Sequence, residues 1–167
     1  MTRPITDRAK QSLFDILAPL IPDSRIYDCF AGTGSMGLEC LSRGAASVVF
    51  FEADRSAIGR LKKNVSALDD ERRCEIIAGD LFKWFANVPQ SETAKADLIF
   101  LDPPYRFLCE RPQDLHRLAE EFAKSHLQPD GTVIFRHDAA DDLQLPPFAM
   151  YDRRDYGQMT IELLRMK

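Results

Sequence analysis

Apolar residues recur at Ile5, Ala9, Leu13, Phe14, Ile16, Leu17 and Leu20, a spacing that keeps one face of a helix apolar. Thr6 or Asp7 can cap its start, and Pro19 and Pro22 end it. Beyond residue 22 the period alternates. Short β-branched or aromatic runs at Arg25–Phe30, Ser47–Glu52, Cys74–Ala78, Asp97–Leu101 and Thr132–Arg136 predict strands, several of them continuously apolar, as strands covered on both faces require. Between them Ser35–Arg43, Arg55–Leu68, Leu81–Val88 and Pro112–Leu127 carry helical spacing. Strand and helix in strict alternation predict an α/β fold, a mostly parallel sheet with helices on both faces. After Asp138 the rhythm changes. Pro146-Pro147 breaks the chain, and two extended runs, Phe148–Arg154 and Gln158–Arg165, flank Asp155-Tyr156-Gly157 as a terminal antiparallel hairpin.

Length and composition narrow this picture. A chain of 167 residues with 45% hydrophobic and 29% charged residues is the size of one ordinary domain, large enough to form a core without disulfide or metal staples. We expect a single domain over 1–167: an N-terminal helical segment (1–22), a cofactor and catalytic core (23–138) and the hairpin (147–167). Its longest apolar runs, such as Val48-Val49-Phe50-Phe51, fall far short of a membrane span, and a cytoplasmic protein is expected. Cys29, Cys40, Cys74 and Cys109 offer no Cys-x-x-Cys pair, and the three histidines fall on different elements, so no metal is expected. The net charge of −4 argues against a protein that coats nucleic acid by bulk charge, while leaving room for a local basic patch.

The first candidate chemistry is the junction Asp28-Cys29-Phe30-Ala31-Gly32-Thr33-Gly34-Ser35-Met36-Gly37, a strand running through Gly-x-Gly-x-x-Gly into a helix. Glycines here let the chain turn tightly and let backbone approach a nucleotide-like ligand. Glu52 ends the next strand, where a carboxylate can accept from both ribose hydroxyls; Asp54 competes but better suits a helix cap. A dinucleotide and S-adenosylmethionine both fit such a loop. Asp28 would repel a pyrophosphate yet suit the cationic amino-acid end of S-adenosylmethionine. Asp80 is placed to accept from an adenine amino group, to cap the helix at Leu81, or both, and Ala53 and Leu81 are expected beside the same ligand.

The second is Asp97-Leu98-Ile99-Phe100-Leu101-Asp102-Pro103-Pro104-Tyr105. A strand delivers Asp102 to the carboxyl edge of the sheet, two prolines stiffen the loop and leave carbonyls exposed, and Tyr105 adds a flat ring. A carboxylate, a carbonyl and a stacking surface make a receptor for a planar group bearing an NH₂, such as a nucleobase. Together the two motifs resemble the S-adenosylmethionine-dependent amino-methyltransferases. Arg3-Pro4-Ile5-Thr6-Asp7-Arg8, Asp28–Gly34 and Leu38-Glu39-Cys40-Leu41-Ser42-Arg43-Gly44, with Glu52, Asn64, Asp102–Tyr105 and Tyr156-Gly157, are similar to the RsmD family, which methylates N2 of a guanine in small-subunit ribosomal RNA.

That resemblance implies a Rossmann-like class I methyltransferase with a seven-stranded sheet. It implies transfer of the sulfonium methyl to the amine, with Asp102 and the Pro103 carbonyl each accepting an N–H, Pro104 shaping the loop and Tyr105 stacking on the base. Phe30, Ala31, Thr33 and the three glycines would hold the cofactor, and Thr6, Asp7 and Arg8 would fold over it. The expected partner is ribosomal RNA or a small-subunit particle, met by a monomer through Arg3, Arg8, Lys10, Arg106, Arg111 and Arg117. Family members usually carry a further basic segment ahead of Arg-Pro-x-x-Asp-Arg, so weak binding of naked RNA is expected. Competing readings are an amino-methyltransferase for DNA adenine, protein glutamine or another RNA, a nucleotide-binding dehydrogenase, and an inactive RNA-binding assembly factor.

Overall fold

The computed structural model describes residues 4–69, 71–88 and 94–167; Arg3, a proposed phosphate contact, lies outside the described residues. Helix α1 (Asp7–Leu17) is capped by Thr6, whose hydroxyl accepts the Ala9 N–H at 3.1 Å, and a tight turn with Pro19 ends it. The alternation follows as β1 (Arg25–Cys29), α2 (Ser35–Ser42), β2 (Ser47–Glu52), α3 (Arg55–Ser66), β3 (Cys74–Ala78), α4 (Leu81–Asn87) and β4 (Ala96–Leu101). Then come α5 (Phe107–Glu110), α6 (Pro112–Glu121), β5 (Leu127–Asp138), β6 (Phe148–Tyr156) and β7 (Met159–Met166).

The strands form one seven-stranded sheet in the order β3-β2-β1-β4-β5-β7-β6. The first five run parallel, and β7 pairs antiparallel with both β5 and β6. This is the expected Rossmann-like sheet with its terminal hairpin. Because the chain builds outward from β1 to β3 and then returns to place β4 on the other side of β1, the connections leaving β1 and β4 diverge and open a crevice at their carboxyl ends.

Alternation along each strand sorts the core into two layers. Ile26, Phe50, Leu98, Phe100 and Ile134 face α1, α2 and α3; Tyr27, Phe51, Ile99, Leu101 and Phe135 face α4, α5 and α6. By that parity Asp28, Asp102 and Arg136 belong to the α1–α3 face. The Ser12 hydroxyl lies 2.7 Å from the Tyr156 phenol, tying α1 to the hairpin.

Two expectations fail locally. The helix expected through Leu127 ends at Glu121, continues as one wide turn over Phe122–His126, and Leu127 is already strand, pairing with Ala96. Helical spacing and burial coincide there, and pairing with β4 wins for Leu127. Helix α5, unforeseen, begins where the Pro104 carbonyl accepts the Phe107 N–H at 2.9 Å.

Candidate active site

Three glycines shape the loop after β1, each for a different reason. Gly32 has φ +59°, and a Cβ there would meet nothing within 4 Å, so the missing side chain leaves open space. Gly34 has φ +86° and begins α2, and a Cβ would lie 2.5 Å from Leu61. Gly37 has ordinary φ, yet its Cβ would fall 2.5 Å from the Phe50 ring and 2.8 Å from Val48, so helix and strand touch only because it has none. Phe30, at φ +61°, adopts a left-handed backbone and turns its ring against Phe82 and Phe107, with centroids 5.9 Å away in each case. The Asn64 amide of α3 donates to the Thr33 carbonyl at 2.9 Å and pins the loop from the side.

Four carboxyl groups fix this edge. Glu52 accepts the Gly32 N–H at 2.7 Å on one oxygen and the Ala53 and Asp54 N–H groups, both at 2.9 Å, on the other. A carboxylate has about four acceptor sites, so one stays available to a ligand hydroxyl. Asp28 is 2% exposed and accepts the Gly37 N–H at 3.0 Å. Burial, only partly offset by that bond, pushes its carboxyl up to about 8, with Asp102 and Glu52 raising it further and Arg136 opposing. Asp54 caps α3 through the Ala57 N–H, as expected. Asp80 caps α4, accepting from Phe82 at 2.9 Å and Lys83 at 3.4 Å.

Asp102, immediately after β4, is held by a group absent from the sequence-derived site. Arg136 of β5 forks onto it, Nε donating to Oδ1 at 2.8 Å and Nη2 donating to Oδ2. Burial pushes the Asp102 carboxyl above its ordinary range, and the Arg136 hydrogen bonds and charge pull it back. The register makes this contact inevitable: Leu101 pairs with Phe135, so the next residues, Asp102 and Arg136, meet on one face. The legible signal was a lone cation ending the apolar run Val133-Ile134-Phe135, which burial forces to find an acid. Pro103 is buried and Pro104 half-buried, and the Pro104 carbonyl is spent on α5, leaving the Pro103 carbonyl as the loop's candidate acceptor.

These groups border a cleft of about 590 Å³, within the range of roughly 300–1,000 Å³ typical of small-molecule sites. Phe30, Ala31, Gly32, Thr33, Glu52, Asp102 and Pro104 line it as expected, joined by Ser35, Met36, Asp54 and Arg136. Pro4 and Ile5 cover it at the N-terminal side. Other expected residues stand back from the cleft. Asp28 is buried behind the loop, Gly37 and Leu81 pack in the core, and Thr6 is engaged as a cap with Arg8 exposed beside it. Asp80 borders a separate hollow of about 400 Å³ between α4 and α6. The residues present fit S-adenosylmethionine: open space at Gly32, an acceptor at Glu52 for a ribose hydroxyl, and a charged pair, Asp102 with Arg136, at the far end.

Comparison with known proteins agrees with this geometry. The family profile described as Conserved hypothetical protein 95 matches residues 1–165. YlbH of Bacillus subtilis is 33% identical over 170 residues, spanning 99% of this chain and 89% of that protein. Ribosomal RNA small subunit methyltransferase D of Haemophilus influenzae is 35% identical over 148 residues, spanning 80% of this chain and 76% of that protein. The solved structure of yhhF from Escherichia coli superposes with a TM-score of 0.82 at 26% identity, covering 99% of this chain and 88% of that one. With the sheet order, the glycine loop and Asp102-Pro103-Pro104-Tyr105 on one edge, the chain belongs to the family of Conserved hypothetical protein 95, the RsmD family.

Proposed function

We propose that this chain transfers a methyl group from S-adenosylmethionine to the exocyclic N2 amine of a guanine in small-subunit ribosomal RNA. The observation that supports this reading is that Asp102 and Pro104 of the Asp102–Tyr105 motif line the same cleft as the glycine loop and Glu52, in a chain related over most of its length to a ribosomal RNA small subunit methyltransferase. S-adenosylmethionine, when bound, supplies a methyl group activated by its sulfonium.

The protein's part is positioning and electrostatics. Glu52 and the loop Ala31–Thr33 hold the nucleoside end, and Asp80 keeps α4 in place beside it. An exocyclic amine is a poor nucleophile because its lone pair is delocalised into the ring. Asp102 and the Pro103 carbonyl each accept one of its N–H groups, which draws the lone pair out of conjugation and toward the methyl group and favours the positive charge that grows on nitrogen. Tyr105 offers a stacking surface to a base that is unpaired or drawn out of its helix.

Phosphate contacts fall to exposed cations around α5 and α6, where Arg111 and Arg117 border the hollow beside Asp80. Arg106 and Arg117 are the most open, with side chains 60% and 77% exposed, and their ion pairs with Glu110 and Asp114 at 3.7 and 3.5 Å are weak enough to exchange for phosphate. Arg111 is more committed, bonded to Asp114 at 2.8 Å and stacked 4.3 Å from the Phe82 centroid. Lys10 is tied to Ser35 at 2.9 Å, while Arg8 stays exposed. Among the described residues no helix is long and apolar enough to cross a membrane. The proposed substrate is a cytoplasmic small-subunit particle, met by a monomer.

Asp102→Ala tests this directly. Turnover on under-methylated small subunits should fall roughly 10²–10³-fold, the usual cost of removing one charge-stabilising group, with S-adenosylmethionine still bound by calorimetry. Wild-type turnover in that variant would refute the assignment.

A further inference from the structure

Asp102 is the acid on which the proposed chemistry turns, and it is half-buried, with a side chain 19% exposed to the cleft. A buried carboxyl tends to take up a proton, and here a proton would be ruinous: a neutral acid donates its O–H to the amine's lone pair, the pair that must attack. What surrounds Asp102 decides which form prevails. Leu13 of α1, Met36 of α2, Phe100, Ile134 and Ile161 border it on the α1–α3 face, all uncharged. Asp28 of β1 adds a nearby acid, and Glu52 of β2 stands on the same edge. Arg136 of β5 is the cation in contact with it.

That contact is a fork with directed geometry. Arg136 is 8% exposed, and its Nε and Nη2 engage separate oxygens of Asp102 while Nη1 reaches Met159 Sδ of β7 at 3.4 Å. A bidentate guanidinium fixes the plane of the carboxylate as well as its charge, using one lone pair on each oxygen and leaving one on each. Both residues border the cleft.

Resting on the methyl-transfer reading above, we propose that Arg136 is the positioning residue of the reaction: its fork keeps Asp102 ionised and sets the carboxylate plane in which the target amine's N–H is accepted. The guanidinium itself touches neither the amine nor the methyl group. With this guanidinium in place, Asp102 acts as an acceptor whose charge is already partly balanced. Asp28, protonated at neutral pH, adds little repulsion against that ionised state.

The test compares wild type, Arg136→Met and Arg136→Lys across pH 6 to 9, with folding followed by thermal melting. Each unit by which a carboxyl's pKa exceeds the pH lowers its ionised fraction roughly tenfold. Arg136→Met should therefore lose at least about tenfold in kcat at pH 7, the loss shrinking as pH rises, with KM for S-adenosylmethionine nearly unchanged. Arg136→Lys, which keeps a cation without the fork, should fall between, and it carries the test if the Met variant does not fold. A second readout needs no turnover: in protein labelled with ¹³C-carboxyl aspartate, the Asp102 resonance, assigned by its absence in Asp102→Asn, should titrate at higher pH in both variants. An equal loss of kcat at every pH with an unmoved Asp102 titration, or wild-type kcat throughout, would overturn the proposal. If wild type itself transfers no methyl group, the functional reading fails, and the NMR titration still decides whether Arg136 controls Asp102.

Discussion

Glu52 and Asp102 stand at the carboxyl ends of β2 and β4, two strands apart on one sheet edge, and they are held in opposite ways. Glu52 is satisfied by backbone alone, by the N–H groups of its two successors and of Gly32 in the loop after the neighbouring strand. Asp102 receives a guanidinium from a strand 34 residues further along the chain. The proposed cofactor side of the cleft is thus built from backbone N–H groups, and the proposed catalytic side depends on an ion pair between side chains of two strands. Asp28, between them on β1, has a single N–H and complete burial, and so keeps its proton. Three acids on one sheet edge, two lining the cleft and one buried behind it, acquire different chemistry from their surroundings.

The largest expected effect concerns Asp28. Its folded-state carboxyl, raised to about 8 from an ordinary 3.8, binds a proton that the unfolded chain releases, so its contribution to stability is full below about pH 4 and is lost as pH rises to about 8. Asp28→Asn removes that dependence while keeping an acceptor for Gly37. Denaturant unfolding should show the variant gaining on wild type by roughly 1 kcal/mol per pH unit between pH 5 and 8, then levelling off. A constant difference would mean that Asp28 is ionised in the fold and that the contrast with Asp102 is smaller than drawn.

Next comes Glu52→Ala. It removes the acceptor of three N–H groups and the proposed ribose contact, so cofactor affinity by calorimetry should weaken roughly 100-fold, the scale of one or two hydrogen bonds to a charged group. kcat at saturating cofactor should change little, whereas variants of the Asp102 side should do the reverse. Equal effects on binding and turnover from both sides would erase the division.

The glycines give the finest cut. Gly37→Ala drives a methyl into Phe50 and Val48 and should cost about 1–3 kcal/mol by denaturant unfolding. Gly32→Ala meets no atom and should cost only the backbone term of roughly 1–2 kcal/mol, but should weaken S-adenosylmethionine binding by intruding on the cleft. If Gly37→Ala impaired binding without loss of stability, its role would have been misassigned.

How much of this was legible follows the same division. The strands and the caps Thr6, Asp54 and Asp80 depend on residues within a few positions of one another, and the sequence pattern displays them; the glycine loop and Glu52 stand out by their places after two strands, although Gly32 meets Glu52 across 20 residues. The local pairs Arg153 with Asp155 and Arg154 with Asp152 are of the same kind. Arg136 was invisible as a site residue because its meaning depends on which strand neighbours β4 and in what register. Leu127 misled because an apolar residue at helical spacing looks alike in a helix and at the start of a buried strand. Asp28 was expected to face the cofactor, yet its side chain lies behind the loop: alternation along β1 turns it toward α2, where it accepts the Gly37 N–H.

The most direct test of the account is incubation of the protein with S-adenosylmethionine carrying a labelled methyl group and under-methylated small ribosomal subunits, followed by nuclease digestion and mass-spectrometric mapping of the modified nucleoside. The account predicts one labelled guanosine, methylated on the exocyclic N2, and none with Asp102→Ala. Label on a ring nitrogen or a ribose, or label found only in DNA or protein, would contradict it.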